Sequence, residues 1–253
     1  MLLKHFPKAV TRFGFAGAVK LLTSRKRLRR WLPDWTEHVP IRDYPHPFHY
    51  RHGTTDKYIM ADVLLDAQYE CLMNLTGVRQ ILDVGANIGT TSVLLLNAYP
   101  QATLVALEPD PGNFAVLQKN IAPYGARAVA LRKALWHRPE ALAIERGSFR
   151  DGGAWSFQVK SGGAADAEVD GITLPELMRL CQLDAVDILK IDIEGAERYV
   201  FDASIVPCLR NVKRIAIELH DPPSREAFLR CVQTSPGQLS QYGEVTLWQQ
   251  EPR

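Results

Sequence analysis

From Gln80 onward the chain alternates short, nearly uninterrupted apolar runs with segments of helical periodicity. Residues 80–84, 102–107, 128–131, 186–191, 212–219 and 244–249 read as strands. Residues 90–98, 112–121, 174–181 and 224–232 read as helices, with Thr173 placed to cap the third. A strand that is apolar along its whole length needs cover on both faces. The alternation therefore predicts an α/β fold, a doubly wound, mostly parallel, Rossmann-like sheet with helices on each side. Residues 146–163, polar and Gly-rich, are expected to be loop or hairpin.

At 253 residues the chain has room for one such domain and a preceding segment. Three parts are expected: a basic helical extension over 1–35, a lead-in segment and helix over 36–75, and the cofactor-binding domain over 76–253. Its first thirty residues, at the start of the extension, hold nine of the 30 basic residues and no Asp or Glu, which leaves 21 basic against 28 acidic residues in the remainder of the chain. Within the extension Val10, Phe13, Gly17 and Leu21 recur at helical spacing, with Lys8, Arg12 and Lys20 on another side. Residues 36–56, rich in Pro, His and aromatics, read as irregular or extended, and 56–75 as a helix. Cys71, Cys181, Cys208 and Cys231 form no CxxC pair, which argues against a zinc site and suits a reducing compartment. No apolar run reaches the ~20 residues of a bilayer span, so a cytoplasmic location is the expectation.

In an open α/β sheet the ligand lies beyond the carboxyl ends of the strands. There the first strand ends in Asp83-Val84-Gly85-Ala86-Asn87-Ile88-Gly89, and the second in Glu108-Pro109. Gly85 and Gly89 allow a sharp turn, and an acid at position 108 suits the two hydroxyls of an adenosine ribose. A dinucleotide site wants a middle glycine for the pyrophosphate, and here Asn87 stands in its place. Asp83 adds negative charge, which favours a cationic cofactor. S-adenosylmethionine carries a sulfonium and an ammonium and no phosphate, so Asp83, Gly85, Asn87, Gly89, Glu108 and Pro109 are its expected contacts.

The fourth strand carries Asp187-Ile188-Leu189-Lys190-Ile191-Asp192-Ile193-Glu194-Gly195-Ala196-Glu197. Together with 81–89, this resembles the FkbM methyltransferase family, whose fourth strand runs D-x-x-K-x-D-x-E-G-x-E. Arg51-His52-Gly53-Thr54-Thr55-Asp56 looks like the family's arginine-to-aspartate segment, and Glu218-Leu219-His220 like its fifth-strand ending. The similarity covers about 48–235. It implies a class I methyltransferase fold, S-adenosylmethionine as donor, and methyl transfer to a hydroxyl of a sugar, glycolipid or natural-product-like acceptor. Only 33 residues follow His220, where the fold places a helix and a last hairpin, so one of those strands is expected to be missing or very short.

An alcohol acceptor needs a base or a metal to take its proton. The ends of the fourth and fifth strands bring together Asp192, Glu194, Glu218, His220 and Asp221. Asp192 is the first candidate for the base or a metal ligand and His220 the second, since imidazole titrates near neutral pH. Lys190, on the same side of the strand, is the third catalytic candidate, placed to pair with Asp192, lower its pKa or orient the acceptor. Asp192, Glu218 and His220 are also candidate ligands for Mg²⁺. Structural readings stand beside these: Glu194 and Glu197 as helix-start charges, Lys190 and Asp192 as a strand-end ion pair. Residues 146–163 and 49–55 are expected to touch the acceptor. The run Arg25-Lys26-Arg27-Leu28-Arg29-Arg30 suits an anionic membrane surface at the inner face, while a nucleic-acid substrate is disfavoured because the body shows no basic, aromatic-studded groove. The competing functions are a non-catalytic membrane-associated S-adenosylmethionine-binding module and an NAD-dependent oxidoreductase. No G-x-S-x-G elbow or phosphate-binding loop supports a hydrolase or ATPase.

Overall fold

A computed structural model describes residues 2–22, 36–146, 157–161 and 167–251. Helix α1 (Phe6–Leu22) is followed by a hairpin of β1 (Thr36–Val39) and β2 (Phe48–Arg51) and by α2 (Asp56–Leu64). Next come β3 (Gln80–Val84), α3 (Thr90–Ala98), β4 (Thr103–Leu107), α4 (Pro111–Ile121) and β5 (Ala128–Leu131). Strands β6 (Ala134–Leu135), β7 (Ala141–Arg146), β8 (Phe157–Ser161) and β9 (Ala167–Ile172) form a separate four-stranded sheet. The chain returns through α5 (Leu174–Leu180), β10 (Ile188–Ile191), the short α6 (Glu197–Val200) and α7 (Val206–Leu209), and β11 (Arg214–Glu218). It closes with α8 (Pro222–Val232), β12 (Gly237–Tyr242) and β13 (Val245–Gln250).

The main sheet has the order β12-β13-β11-β10-β3-β4-β5, with every strand parallel except β13, which pairs antiparallel with both β11 and β12. Chain direction across the sheet reverses between β3 and β10, because β4 and β5 lie on one side of β3 and β10 and β11 on the other. The cleft above that reversal is where α/β sheets receive ligands. Both faces are apolar, as the strand runs require. Ile81, Leu104, Ala106 and Ile188 pack toward α1–α4, while Leu82, Val84, Leu107, Leu189, Ile191, Ile215 and Ile217 pack toward α5–α8.

Helix starts follow side-chain caps. Asp110 accepts from the Asn113 amide ahead of α4, Thr173 and Glu176 form a capping box on α5, and Asp221 accepts from the Ser224 amide ahead of α8. That last cap, with Pro222 as the first helical residue, starts α8 two residues earlier than its apolar pattern suggests.

The N-terminal helix is packed, not loose. Phe13, Gly17 and Leu21 are buried as their spacing predicts, Val10 only partly, and Gly14 (φ 71°) kinks the helix. Lys20 pairs with buried Glu37, which also holds His52 at 2.9 Å. The basic run 25–30 lies outside the described residues. Residues 36–56 contain a real hairpin, and the helix expected over 56–75 stops at Leu64 before a 3₁₀ turn at Glu70–Leu72. Strands β7 and β9 were not expected. β7 ends in Glu145-Arg146 and β9 is broken by Glu168, Asp170 and Gly171, so neither is a continuous apolar run; Leu142, Ile144 and Val169 pack in a small core with Trp136.

The expectation of a missing last strand is corrected, because β12 and β13 are six residues each. β12 is polar and mostly exposed, so it carries no alternating signal. It is set by pairing, with Gly237 against the Trp248 indole, where a Cβ would fall 2.4 Å from Nε1.

Candidate functional site

At the carboxyl ends of β3, β4, β10 and β11 lies a cavity of about 240 Å³. Its floor is the turn after β3. Gly85 adopts φ 74° there, and a Cβ would fall 1.7 Å from the Asp192 carbonyl oxygen, so only glycine lets this turn meet the end of β10. Asn87 (φ 51°) and Glu194 (φ 53°) hold left-handed conformations at the two turns that face each other.

Every amide N–H of that turn is already used. Those of Gly85 and Ala86 donate to the Leu107 carbonyl, that of Asn87 to Glu108 Oε2 at 2.8 Å, that of Ile88 to Asn87 Oδ1, and that of Gly89 to the Ala86 carbonyl. A phosphate would find no donor in it. Glu108, 2% exposed, also accepts from the Asp110 amide at 3.0 Å. Burial outweighs these two donors and pushes its carboxyl up to about 8.

Of the six cofactor residues expected from sequence, Gly85, Asn87, Glu108 and Pro109 line the cavity, and Asp83 and Gly89 do not. Asp83 is fully buried one layer below. Its Oδ2 accepts from Ser92 at 2.6 Å, and its Oδ1 lies 3.3 Å from Lys190 Nζ. The two are register partners on β3 and β10, which is why Asp83, and not Asp192 at 3.9 Å, is the nearer partner of Lys190. Lys190 also donates to the Gly85 carbonyl at 2.7 Å. Burial disfavours its charge, yet the carboxylates of Asp83, Asp192 and Glu218 outweigh that and hold the ammonium above its usual range.

The far wall is a carboxylate cluster around His220. The imidazole is 3% exposed, with Nδ1 2.9 Å from Glu197 Oε1 and Nε2 3.5 Å from both Asp192 Oδ1 and Glu194 Oε2. Glu197 is fully buried, and its other oxygen accepts from Ser224. Burial opposes a charge on His220, but the Glu197 bond and the negative charge of Asp192 raise its value to about 9. An imidazole held there is protonated at neutral pH, so its ordinary titration range gives it no role as a base. Glu218 Oε1 accepts from Gln68 at 2.6 Å and from the Tyr69 hydroxyl at 2.7 Å, and burial with the nearby Asp192 charge lifts its carboxyl to about 8. Asp192 Oδ1 is buried and accepts no hydrogen bond. Asp192, Glu218 and His220 each offer an atom within 4.8 Å of the others. Asp221 does not join them, because it caps α8 and pairs with Arg198.

Residues 49–55 do not line the cavity. Arg51 instead grips Asp56 through two nitrogens and Asn113 at 2.5 Å, tying the lead-in segment to α4. Most of 146–163 lies outside the described residues, and the cavity wall contains none of the described part. The mouth comes from Ile59, Asp62, Val63, Gln68, Tyr69 and Glu244. Sequence offered no signal for Gln68 and Tyr69, which lie 150 and 149 residues from the Glu218 they bind. Glu197 did carry one, as the last acid of the fourth-strand motif. Asp187, the motif's first acid, ties strand starts together by accepting from the Arg79 and Gln80 amides and pairing with Lys213 at 2.6 Å.

Comparison with known proteins gives a consistent picture. Residues 83–251 match the methyltransferase FkbM domain. Methyltransferase sdnD of Sordaria araneosa is 27% identical over 207 residues, which cover 68% of this chain and 80% of that protein. Methyltransferase 1 of Beauveria bassiana (strain ARSEF 2860) is 28% identical over 136 residues, covering 46% of this chain and 55% of that protein. The crystal structure of a methyltransferase FkbM from Methylobacillus flagellatus KT superposes with a TM-score of 0.50 at 16% identity. It covers 71% of this chain, which spans 45% of that longer one.

Proposed function

The chain belongs to the FkbM methyltransferase family, and on that basis we propose that it moves the methyl group of S-adenosylmethionine to a hydroxyl of a sugar, glycolipid or natural-product-like acceptor. The observation that carries the cofactor reading is the turn after β3, whose amides are all spent while Glu108 faces the cavity beside it. That combination suits a nucleoside without phosphate and argues against a dinucleotide. Each Glu108 oxygen has accepting capacity left for a ribose hydroxyl. Leu107, Pro109, Ala134 and Leu135 supply an apolar wall for the base.

S-adenosylmethionine supplies an electrophilic methyl on a positively charged sulfur. In the transfer, the acceptor oxygen forms a bond to that carbon, the carbon–sulfur bond breaks, and S-adenosylhomocysteine leaves. Asp192 takes the hydroxyl proton, since it lines the cavity at the end of β10 and its Oδ1 is buried without a hydrogen bond. His220, held by Glu197, keeps Asp192 oriented. Lys190 fixes the turn through Gly85 and balances Asp83, so its role is positioning. Mg²⁺ fits poorly, because it prefers an all-oxygen shell and one of the three candidate ligands is an imidazole.

Phe15 (68%) and Val19 are exposed on α1, and Lys4 is exposed in the turn ahead of it, which supports contact with an anionic membrane that would present a glycolipid. Among the described residues no helix is long and apolar enough to cross a membrane. Incubation with S-adenosylmethionine labelled on the methyl group, over a panel of hydroxylated and amino acceptors, tests the proposal. Label on oxygen supports it, and label on nitrogen would move the reaction class.

A further inference from the structure

We propose that Asp192, Glu218 and His220 bind a divalent first-row transition ion, of the Mn²⁺, Fe²⁺ or Zn²⁺ class, with Glu197 as the carboxylate that orients the histidine. This inference deepens the reading of the same cavity and rests on it. The three side chains come from two adjacent parallel strand ends, and each presents one donor atom within 4.8 Å of the others. It is the one such group among the described residues.

Three further observations point the same way. First, His220 is fixed from behind. Glu197 engages Nδ1 at 2.9 Å, and Ser224 and the Ile193 amide bond to Glu197 in turn. A carboxylate on the rear nitrogen of a buried imidazole is how metal-ligating histidines are usually held. It turns Nε2 toward Asp192 and Glu194, 3.5 Å from an oxygen of each, so that a cation replacing the Nε2 proton would meet carboxylate oxygens at once.

Second, Glu218 is held the same way. Gln68 and Tyr69 both donate to Oε1, which fixes the carboxylate while leaving it at the cavity wall. Third, negative charge is in surplus. Asp83, Asp192, Glu194 and Glu197 face Lys190 and His220, and Lys190 is committed to Asp83 and the Gly85 carbonyl. Asp192 Oδ1 is buried at this point and accepts no hydrogen bond.

One imidazole and two carboxylates form a mixed nitrogen–oxygen donor set, which selects transition ions over Mg²⁺. An ion there would acidify an acceptor hydroxyl brought against it, with the Asp192 oxygen that does not hold the ion left to take the proton.

The test is a titration of the full chain, freed of metal with a chelator and without S-adenosylmethionine, using Mn²⁺ alone. Free Mn²⁺ is followed by electron paramagnetic resonance and heat by calorimetry. One site is expected. Asp192→Asn, Glu218→Gln and His220→Gln should each remove it, Glu197→Gln should weaken it about 10- to 100-fold, and equal Mg²⁺ should not displace the Mn²⁺. Circular dichroism identifies any variant that fails to fold, and the remaining variants then decide. No stoichiometric site in the wild type, or a site untouched in the folded variants, would overturn the proposal and leave Nε2 as a protonated partner of Asp192. S-adenosylhomocysteine binding by the same metal-free protein is measured alongside. Loss of that binding defeats the methyltransferase reading, while its survival with no Mn²⁺ site defeats the metal alone.

Discussion

Replacing Glu108 with Gln should stabilise the protein more at pH 8 than at pH 6, by an amount that follows from the burial of this carboxyl. Its value is pushed from an ordinary 4.5 up to about 8. Below pH 4.5 the group is protonated in folded and unfolded chains alike and has no pH-dependent effect. Between 4.5 and 8 the unfolded chain has released the proton and the folded chain retains it, so stability falls as pH rises, by about 1.4 kcal/mol per unit. Above 8 the cost is constant. Between pH 6 and pH 8 the wild type should therefore lose about 2 kcal/mol relative to Glu108→Gln, less than two full pH units would give because the folded carboxyl is half ionised at pH 8. A pH-independent offset of about 1 kcal/mol runs the other way, since the Gln amide nitrogen must face the N–H of Asn87 or Asp110 and forfeits one bond. Urea denaturation of both proteins at the two pH values reads the change in their difference, and the shifted values of Glu218 and His220, common to both, cancel. A difference that does not move with pH would refute the argument. The same logic makes cofactor binding release a proton near pH 7 in the wild type, because ribose hydroxyls favour the ionised carboxylate, and release none at this position in Glu108→Gln.

Asp192→Asn should lower turnover at least about 100-fold with S-adenosylhomocysteine affinity unchanged, measured by steady-state kinetics and calorimetry. Gly85→Ala should cost more than about 3 kcal/mol or prevent folding, since the new Cβ meets the Asp192 carbonyl oxygen at 1.7 Å; soluble yield and thermal melting report it. Asp187→Asn should cost about 2–3 kcal/mol at neutral pH by losing the Lys213 pair and weakening two amide bonds. Burial opposes the Asp187 charge, but Lys213 and the two amides hold its carboxyl below the usual 3.8. Its contribution is thus present above pH 3.8 and fades as pH falls through the depressed value, which urea melts at pH 7 and pH 3 would show. Phe228→Ala should cost about 3–5 kcal/mol by emptying a buried site against Phe201, read from the shift in denaturation midpoint.

The parallel sheet was legible because each of its inner strands is buried on both faces, and an apolar run of four to six residues between turn residues has few other uses. β12 and the small sheet were not, since exposed or short strands are set by their pairing partners and carry no run of their own. The same division holds in the site. Glu108, Asp192 and Glu194 sit at strand ends that any α/β reading inspects. Asp83 is there too, but which way its charge is spent depends on the register of β3 against β10, which brings Lys190 beside it. Gln68 and Tyr69 come from the irregular stretch after α2, where no periodicity marks them, and only the folded chain places them on Glu218. His220 invited a base role from its type. Its surroundings, three carboxylates within 3.5 Å of one imidazole, favour the protonated ring instead.

Calorimetric titration with S-adenosylhomocysteine, repeated with NAD and with Glu108→Ala, tests the central claim most directly. The account predicts one site for S-adenosylhomocysteine, none for NAD, and a markedly weaker site in the folded variant. Binding of NAD alone would contradict it outright, and unchanged affinity in Glu108→Ala would remove the ribose contact on which the cofactor reading stands.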